Sequence, residues 1–382
     1  MISSAADGPL RALILSASMG AGHDGAARAL AGRLEAKGHS CQVVDFLDAG
    51  PLGIGRALRS GYEAELKYAP GAYDATYRLW YRMPWLCPAV ARLVHALTRR
   101  RVLAWIAQVD PDVVISTYPL STLCIGRMRT KGELRVPAVN FITDFGVHPL
   151  WVHRGVDLNL AIHEGPARRA AESTGRPSLA CGPAVSPRFD PAGLPERDTS
   201  RAELGLVPGD AAVLVVAGSW GIGDLSTTWE ALTATERFTP VVVCGRDGKL
   251  LARVSEMAAA WPGRSIVLGW TDRMPALMAA CDALVENAGG LTSLEAMRAG
   301  LPVVSFDPIA GHGRDNTAAM DAAGVATLAC DAASLVASLE ALTTPGTRRD
   351  AQVARASSMF GSQPEDAVIE LARGASPPLS RP

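Results

Sequence analysis

The chain has 382 residues and an almost balanced charge, 37 basic against 38 acidic side chains. Its pI near 6.7 excludes a protein held on nucleic acid by global charge, which takes a pI above about 9. Hydrophobic residues at 48% and charged residues at 20% exclude wholesale disorder, and the length suits about two or three domains. No apolar run approaches the roughly 20 residues of a membrane-spanning helix. Leu13-Ile14-Leu15 is too short for a secretory leader and reads better as a buried strand. Seven cysteines are scattered without a CxxC pair. That predicts a reducing cytoplasm and neither a disulfide framework nor a zinc finger.

Short apolar runs alternate with helix-length stretches. Strands are predicted at 12–17, 41–46, 113–116, 138–143 and 158–162, then at 212–217, 240–244, 265–268, 283–285 and 303–306. They lack period-2 alternation and are bounded by Gly, Pro or Asp, the mark of parallel strands covered on both faces. Helices are predicted at 25–37, 120–131, 225–235 and 291–299. Such β–α alternation, run twice, predicts two doubly wound Rossmann-like α/β domains facing across a cleft. The proline-rich stretch 183–200 reads as the linker between a domain at 1–182 and one at 201–373. A frayed Pro/Ser-rich tail is expected over 374–382.

The stretch 73–109 breaks the alternation. It concentrates Tyr73, Tyr77, Trp80, Tyr81, Trp85 and Trp105 with Arg78, Arg82, Arg92 and three consecutive arginines from Arg99. Aromatic and basic residues together suit a membrane interface with anionic lipid. They equally suit a helical insertion packed on its own domain.

Five segments carry chemistry. The run Ser16-Ala17-Ser18-Met19-Gly20-Ala21-Gly22-His23 follows the first strand and opens a helix. Its glycines permit close approach of backbone to ligand, and the helix N-terminus suits an anion or a reacting oxygen. It is neither a Walker A loop nor a GxGxxG fingerprint. His23 stands there as a general base or a structural imidazole. Asp144 follows a strand, placed to orient an acceptor or His23, or to cap a turn. His148 and His153 with Asp144 and Asp157 match no metal-ligand spacing, so no metal is expected. Gly218-Ser219-Trp220-Gly221-Ile222-Gly223 is a second strand–glycine–helix turn and a candidate phosphate cradle. In Glu286-Asn287-Ala288-Gly289-Gly290-Leu291-Thr292-Ser293-Leu294-Glu295, two glycines turn into a helix with Thr292 and Ser293 in its first turn. That arrangement suits a diphosphate. Glu295 reads as a ribose-diol acceptor or as a carboxylate favoured by the helix dipole. The loop from Asp307 to Asn316 is placed to bond a sugar, and Arg314 to pair with phosphate.

The runs 16–29, 140–156 and 287–316 resemble the monogalactosyldiacylglycerol synthase and processive diacylglycerol glucosyltransferase family, over most of 11–360. The resemblance implies a GT-B fold and inverting transfer of a hexose from a UDP-sugar to a lipid acceptor such as diacylglycerol, without cofactor or catalytic metal. It implies an acceptor-binding N-terminal domain and a UDP-sugar-binding C-terminal domain. His23 would be the base, with Asp144 as the second catalytic residue. Gly22, Ser219, Gly221, Gly223, Gly289, Gly290, Thr292, Ser293, Glu295, Arg314, Asp315 and Asn316 would hold the donor. Trp80, Tyr81, Arg82, Trp85 and His148 would face acceptor and anionic membrane, with no nucleic-acid partner. The protein is then expected in the cytoplasm, peripheral on the inner face of the cell membrane. Many relatives carry Gln–Glu-type residues where this chain has His312-Gly313-Arg314, so the resemblance does not name the hexose. A soluble aglycone as acceptor, a UDP-sugar 2-epimerase and a non-catalytic UDP-sugar sensor stand as alternative readings.

Overall fold

A computed structural model describes residues 8–218, 220–223 and 225–374. Contacts divide it into two compact units. The first runs through Tyr62, takes Ala75–Ala184 and resumes at Met359. Its elements are β1 (Arg11–Ser16), α1 (Gly22–Ala36), β2 (Ser40–Asp45), α2 (Ile54–Tyr68), α3 (Pro70–Arg82), α4 (Cys87–Val109), β3 (Val113–Ser116), α5 (Pro119–Thr130), β4 (Ala138–Ile142), β5 (Leu158–Ala161), α6 (Glu164–Thr174) and β6 (Ser178–Ala180). All six strands are parallel, in the order β2-β1-β3-β4-β5-β6. Every residue of β3, β4 and β5 is buried, which explains their continuous apolar runs. Inside them a polar ladder crosses the sheet. Thr122 Oγ1 donates to Asn140 Oδ1 (2.8 Å), Asn140 Nδ2 to Asn159 Oδ1 (3.0 Å), and Asn159 Nδ2 to Ser178 Oγ (3.2 Å). Each buried amide thus has a partner.

The second unit contains 63–74 and Val185–Ser358. After α7 (Arg197–Glu203) come β7 (Ala211–Val216), α8 (Leu225–Thr233), β8 (Phe238–Val243), α9 (Gly248–Ala260), β9 (Ile266–Leu268), α10 (Met274–Ala280), β10 (Ala283–Glu286), α11 (Leu291–Arg298), β11 (Val303–Phe306), α12 (His312–Ala322), β12 (Thr327–Ala329), α13 (Ala332–Thr343) and α14 (Thr347–Ser358). Its parallel sheet is ordered β12-β11-β10-β7-β8-β9. In each sheet the strand order reverses once, between β1 and β3 and between β7 and β10. Ligands of open α/β sheets bind outside the strand carboxyl ends at such a reversal. The loops after β1, β7 and β10 are the glycine-rich runs already singled out.

Three readings need correction. The stretch 183–200 is structured. Val185 and Phe189 are buried, prolines open two 3-10 turns, and Arg197 bonds the carbonyls of Ala279 and Cys281. Prolines preset φ for first-turn positions while erasing periodicity; the crossing between the two units, at Ala184–Val185, falls inside this structured segment. The chain's final helix, α15 (Pro364–Ala372), packs on α1 in the first unit, not with 201–373. Arg33 lies 3.7 Å from Glu365, and Lys37 pairs with Asp366. Residues 63–74, placed by sequence in the first domain, group with the second unit. The short strands β6 and β12, three residues each, leave too few positions for a periodicity signal. Apart from Gly374, the tail lies outside the described residues.

Candidate active site

In the first unit, the turn after β1 delivers His23 to the second position of α1. The imidazole meets Tyr118 edge-on at 5.2 Å between ring centroids and Trp151 at 5.6 Å. Its Nδ1 is 3.4 Å from Thr143 Oγ1, and Thr117 Oγ1 donates to its backbone carbonyl. Asp144 accepts from Trp151 Nε1 at 2.9 Å, and Asn140 Nδ2 fixes Trp151 through its carbonyl. Burial drives the His23 pKa below its ordinary value, outweighing the opposing charges of Asp144 and Asp24. The ring is therefore neutral at pH 7, as a general base must be. Asp24 accepts from Ser16 Oγ at 2.6 Å, tying the first turn of α1 to the end of β1. A Cβ at Gly22 would meet open space, so the protein itself does not demand glycine there.

In the second unit, three loops converge on Asn287. Its Nδ2 donates to the Ile222 carbonyl (2.9 Å) and its own carbonyl accepts from Ile309 N–H (2.8 Å). Gly223 has φ +107, and a Cβ there would lie 2.2 Å from Asn287 Nδ2. A Cβ at Gly221 would press on Asp247 at 2.8 Å. These two glycines serve packing. Ser219 lies outside the described residues. Gly289 (φ +62) is pressed against Asn316, and Glu286 accepts from the N–H groups of Ala288 and Gly289. Gly290, the N-cap of α11, faces open space. Behind it Thr292 is half-buried, and the fully buried Ser293 Oγ has no hydrogen-bond partner. The first turn of a helix leaves backbone N–H groups without intrahelical partners, and this unpartnered hydroxyl lies among them. Burial pushes the Glu295 pKa up to about 8 against the opposing charge of Arg188.

Further along the same sheet edge, Arg314 is half-exposed and 3.3 Å from Asp74. Asp315 is half-buried and Asn316 fully buried under the Gly289 turn. The structure splits the aromatic–basic stretch. Tyr73, Tyr77 and Trp105 are buried, Trp80 is half-buried, and Tyr81, Arg82 and Trp85 are exposed. His148 is buried between the rings of Tyr77 and Tyr81 and caps a 3-10 turn, so its ring is held inside the first unit. Among the described residues no cluster of three or more His, Cys, Asp or Glu is placed to hold a metal.

Sequence reasoning passed over several site residues. Asn287 acts on backbone groups far from it in sequence, Glu286 on the N–H groups two and three residues on, and Asp307 adopts φ +46 at the end of β11. Arg188 bonds the Asp272 carbonyl at 3.1 Å. Trp270, half-exposed past β9, stacks under the Arg246 guanidinium at 3.7 Å and offers a planar surface. An isolated tryptophan after a strand was the only available signal for it.

The fold has counterparts among solved structures. Along 96% of its length the chain superposes on all of the crystal structure of MurG from Acinetobacter baumannii, with TM-score 0.57 and 16% identity. It covers 98% of the glycosyltransferase SnogD from Streptomyces nogalater with TM-score 0.54 and 19% identity, over 95% of this chain. The fold is that of the GT-B glycosyltransferases. Residues 23–179 match the family described as Monogalactosyldiacylglycerol (MGDG) synthase. Processive diacylglycerol beta-glucosyltransferase of Bacillus pumilus (strain SAFR-032) is 27% identical over 210 residues, 54% of either chain. The Bacillus subtilis (strain 168) protein of the same name is 29% identical, again over 54% of each. The chain thus spans about half the length of these curated relatives.

Proposed function

We propose that the protein is an inverting glycosyltransferase that moves a hexose from a UDP-sugar to a lipid hydroxyl of the diacylglycerol type. The observation that carries this reading is the neutral, enclosed imidazole of His23 at a sheet-reversal point, backed by the Asp144 carboxylate. The second unit supplies a donor site along one sheet edge. The Trp270 plane suits the base, Glu295 the ribose diol, the α11 N-terminus with Ser293 the diphosphate, and the 307–316 loop the hexose. In the reaction the acceptor oxygen bonds to the anomeric carbon as the bond to UDP breaks. His23 takes the hydroxyl proton, Asp144 stabilises the imidazolium that forms, and the N–H groups at the α11 N-terminus meet the charge developing on UDP.

A lipid acceptor and an anionic membrane surface are supported by exposed Leu79, Tyr81, Trp85, Leu93 and Leu97, interleaved with exposed Arg78, Arg82, Arg92 and Arg99. Rings and aliphatic side chains among arginines suit a peripheral interface. Among the described residues no helix is long and apolar enough to cross a membrane.

The test is UDP release from UDP-glucose, UDP-galactose and UDP-N-acetylglucosamine, with and without anionic vesicles containing diacylglycerol. Release with one sugar only when lipid is present supports the reading. Lipid-independent release favours a soluble acceptor, and binding without release favours a sensor. His23→Ala is expected to retain UDP affinity and to lose turnover by about 10²-fold or more. Equal loss of both would remove His23 as the base.

A further inference from the structure

The N-terminus of α12 is held by a segment far away in sequence. Its N-cap, Gly311 (φ +65), has no side chain with which to cap the helix. The cap comes instead from Asp74, whose Oδ1 accepts from Gly311 N–H at 3.1 Å while Oδ2 faces Arg314 Nη1 at 3.3 Å. One residue earlier, the Tyr73 hydroxyl lies 3.0 Å from His312 Nδ1, with the two rings edge-to-face. Tyr73 is buried and the Asp74 side chain is only 18% exposed, so both contacts are shielded from water. All five residues belong to the second unit. Six residues before Tyr73, Lys67 pairs with Asp247 and anchors the same segment to the loop after β8.

We infer that Tyr73 and Asp74 are positioning residues for the donor hexose. They orient His312 and Arg314, and through Gly311 the whole first turn of α12, toward a UDP-linked sugar. This rests on the donor site proposed above. The charge arithmetic supports a neutral sugar. Asp74 occupies the positive helix end and neutralises Arg314, so this terminus offers directed hydrogen bonds more than net charge.

The experiment measures binding of UDP, UDP-glucose, UDP-galactose and UDP-N-acetylglucosamine by calorimetry to the full chain and to the variants Tyr73→Phe and Asp74→Asn. UDP reads the base, ribose and diphosphate contacts, and the gain from UDP to the best UDP-hexose reads the hexose contacts alone. Both variants are expected to bind UDP within twofold of the parent. The hexose gain should fall about tenfold in Asp74→Asn, where a charge-assisted bond is lost, and several-fold in Tyr73→Phe. Preference among the three sugars should narrow with it. An unchanged hexose gain in both variants overturns the inference while leaving the proposed function standing. A parallel loss of UDP affinity also overturns it, because the segment would then be general scaffolding. Failure of the parent chain to bind UDP removes the donor site itself, and this inference with it.

Discussion

Glu295 and His23 are opposite cases of one effect. Burial disfavours charge, so the carboxyl is pushed up and the imidazole down. A ribose diol donating to Glu295 favours its ionised form. With a pKa of about 8 in the free protein, only about a tenth of the molecules carry that form at pH 7. UDP affinity is therefore expected to rise about tenfold between pH 7 and pH 8.5, as the carboxyl ionises without the ligand's help. Glu295→Gln should abolish this pH dependence. Titration calorimetry at both pH values checks it, and a flat profile in the parent would separate Glu295 from the ribose. His23 works in the other direction. Its lowered pKa keeps the base unprotonated at neutral pH, which suits proton abstraction there.

At the scale of elements, α15 shows how a helix is recruited by charge. Glu365 is 4% exposed and lies 3.7 Å from Arg33 and 4.0 Å from Lys37 of α1. Both cations are partly exposed, 20% for Arg33 and 33% for Lys37, so water compensates them in part when the carboxylate is removed. Glu365→Ala is accordingly expected to lower stability by about 1–2 kcal/mol, read by urea unfolding, whereas the exposed partner Asp366→Ala should cost under about 0.5 kcal/mol. Equal small effects would mean that α15 is held by its apolar face alone, through Val368 and Ile369. The tight turn after β6 adds a steric constraint to the same chain return. A Cβ on Gly182 (φ +76) would lie 2.0 Å from the Met359 carbonyl, so the chain closes on the first unit where only glycine fits.

At the scale of the whole molecule, each unit is assembled from separated stretches of chain. The residues of the proposed membrane face, on α3, α4 and the turn joining them, all fall within Ala75–Ala184. Trp85 is 68% and Leu93 60% exposed, an unusual exposure for large apolar side chains whose burial is worth about 2 kcal/mol each. Trp85→Asp with Leu93→Asp should weaken sedimentation with anionic vesicles at least tenfold and leave UDP affinity unchanged. Retained vesicle binding would assign these side chains to another role.

The sequence by itself determined the two parallel sheets and the glycine turns that follow their strands. Strand, turn and helix are contiguous there, and continuous apolar runs are what burial on both faces requires. It also singled out His23, Gly290 and Ser293, because a helix N-terminus is a local feature. Only the tertiary structure decided what depends on distant neighbours. It made Gly221 and Gly223 packing residues, because Asp247 and Asn287 occupy the space where their side chains would stand. It buried Trp105 and His148 while leaving Trp85 exposed, a division that composition cannot make. It brought Asp74 to the α12 terminus across 237 residues, and Arg188 to the loop after β9. Charge and hydrogen bonding act through space, so these pairings and the titration of Glu295 follow from the folded surroundings of each group.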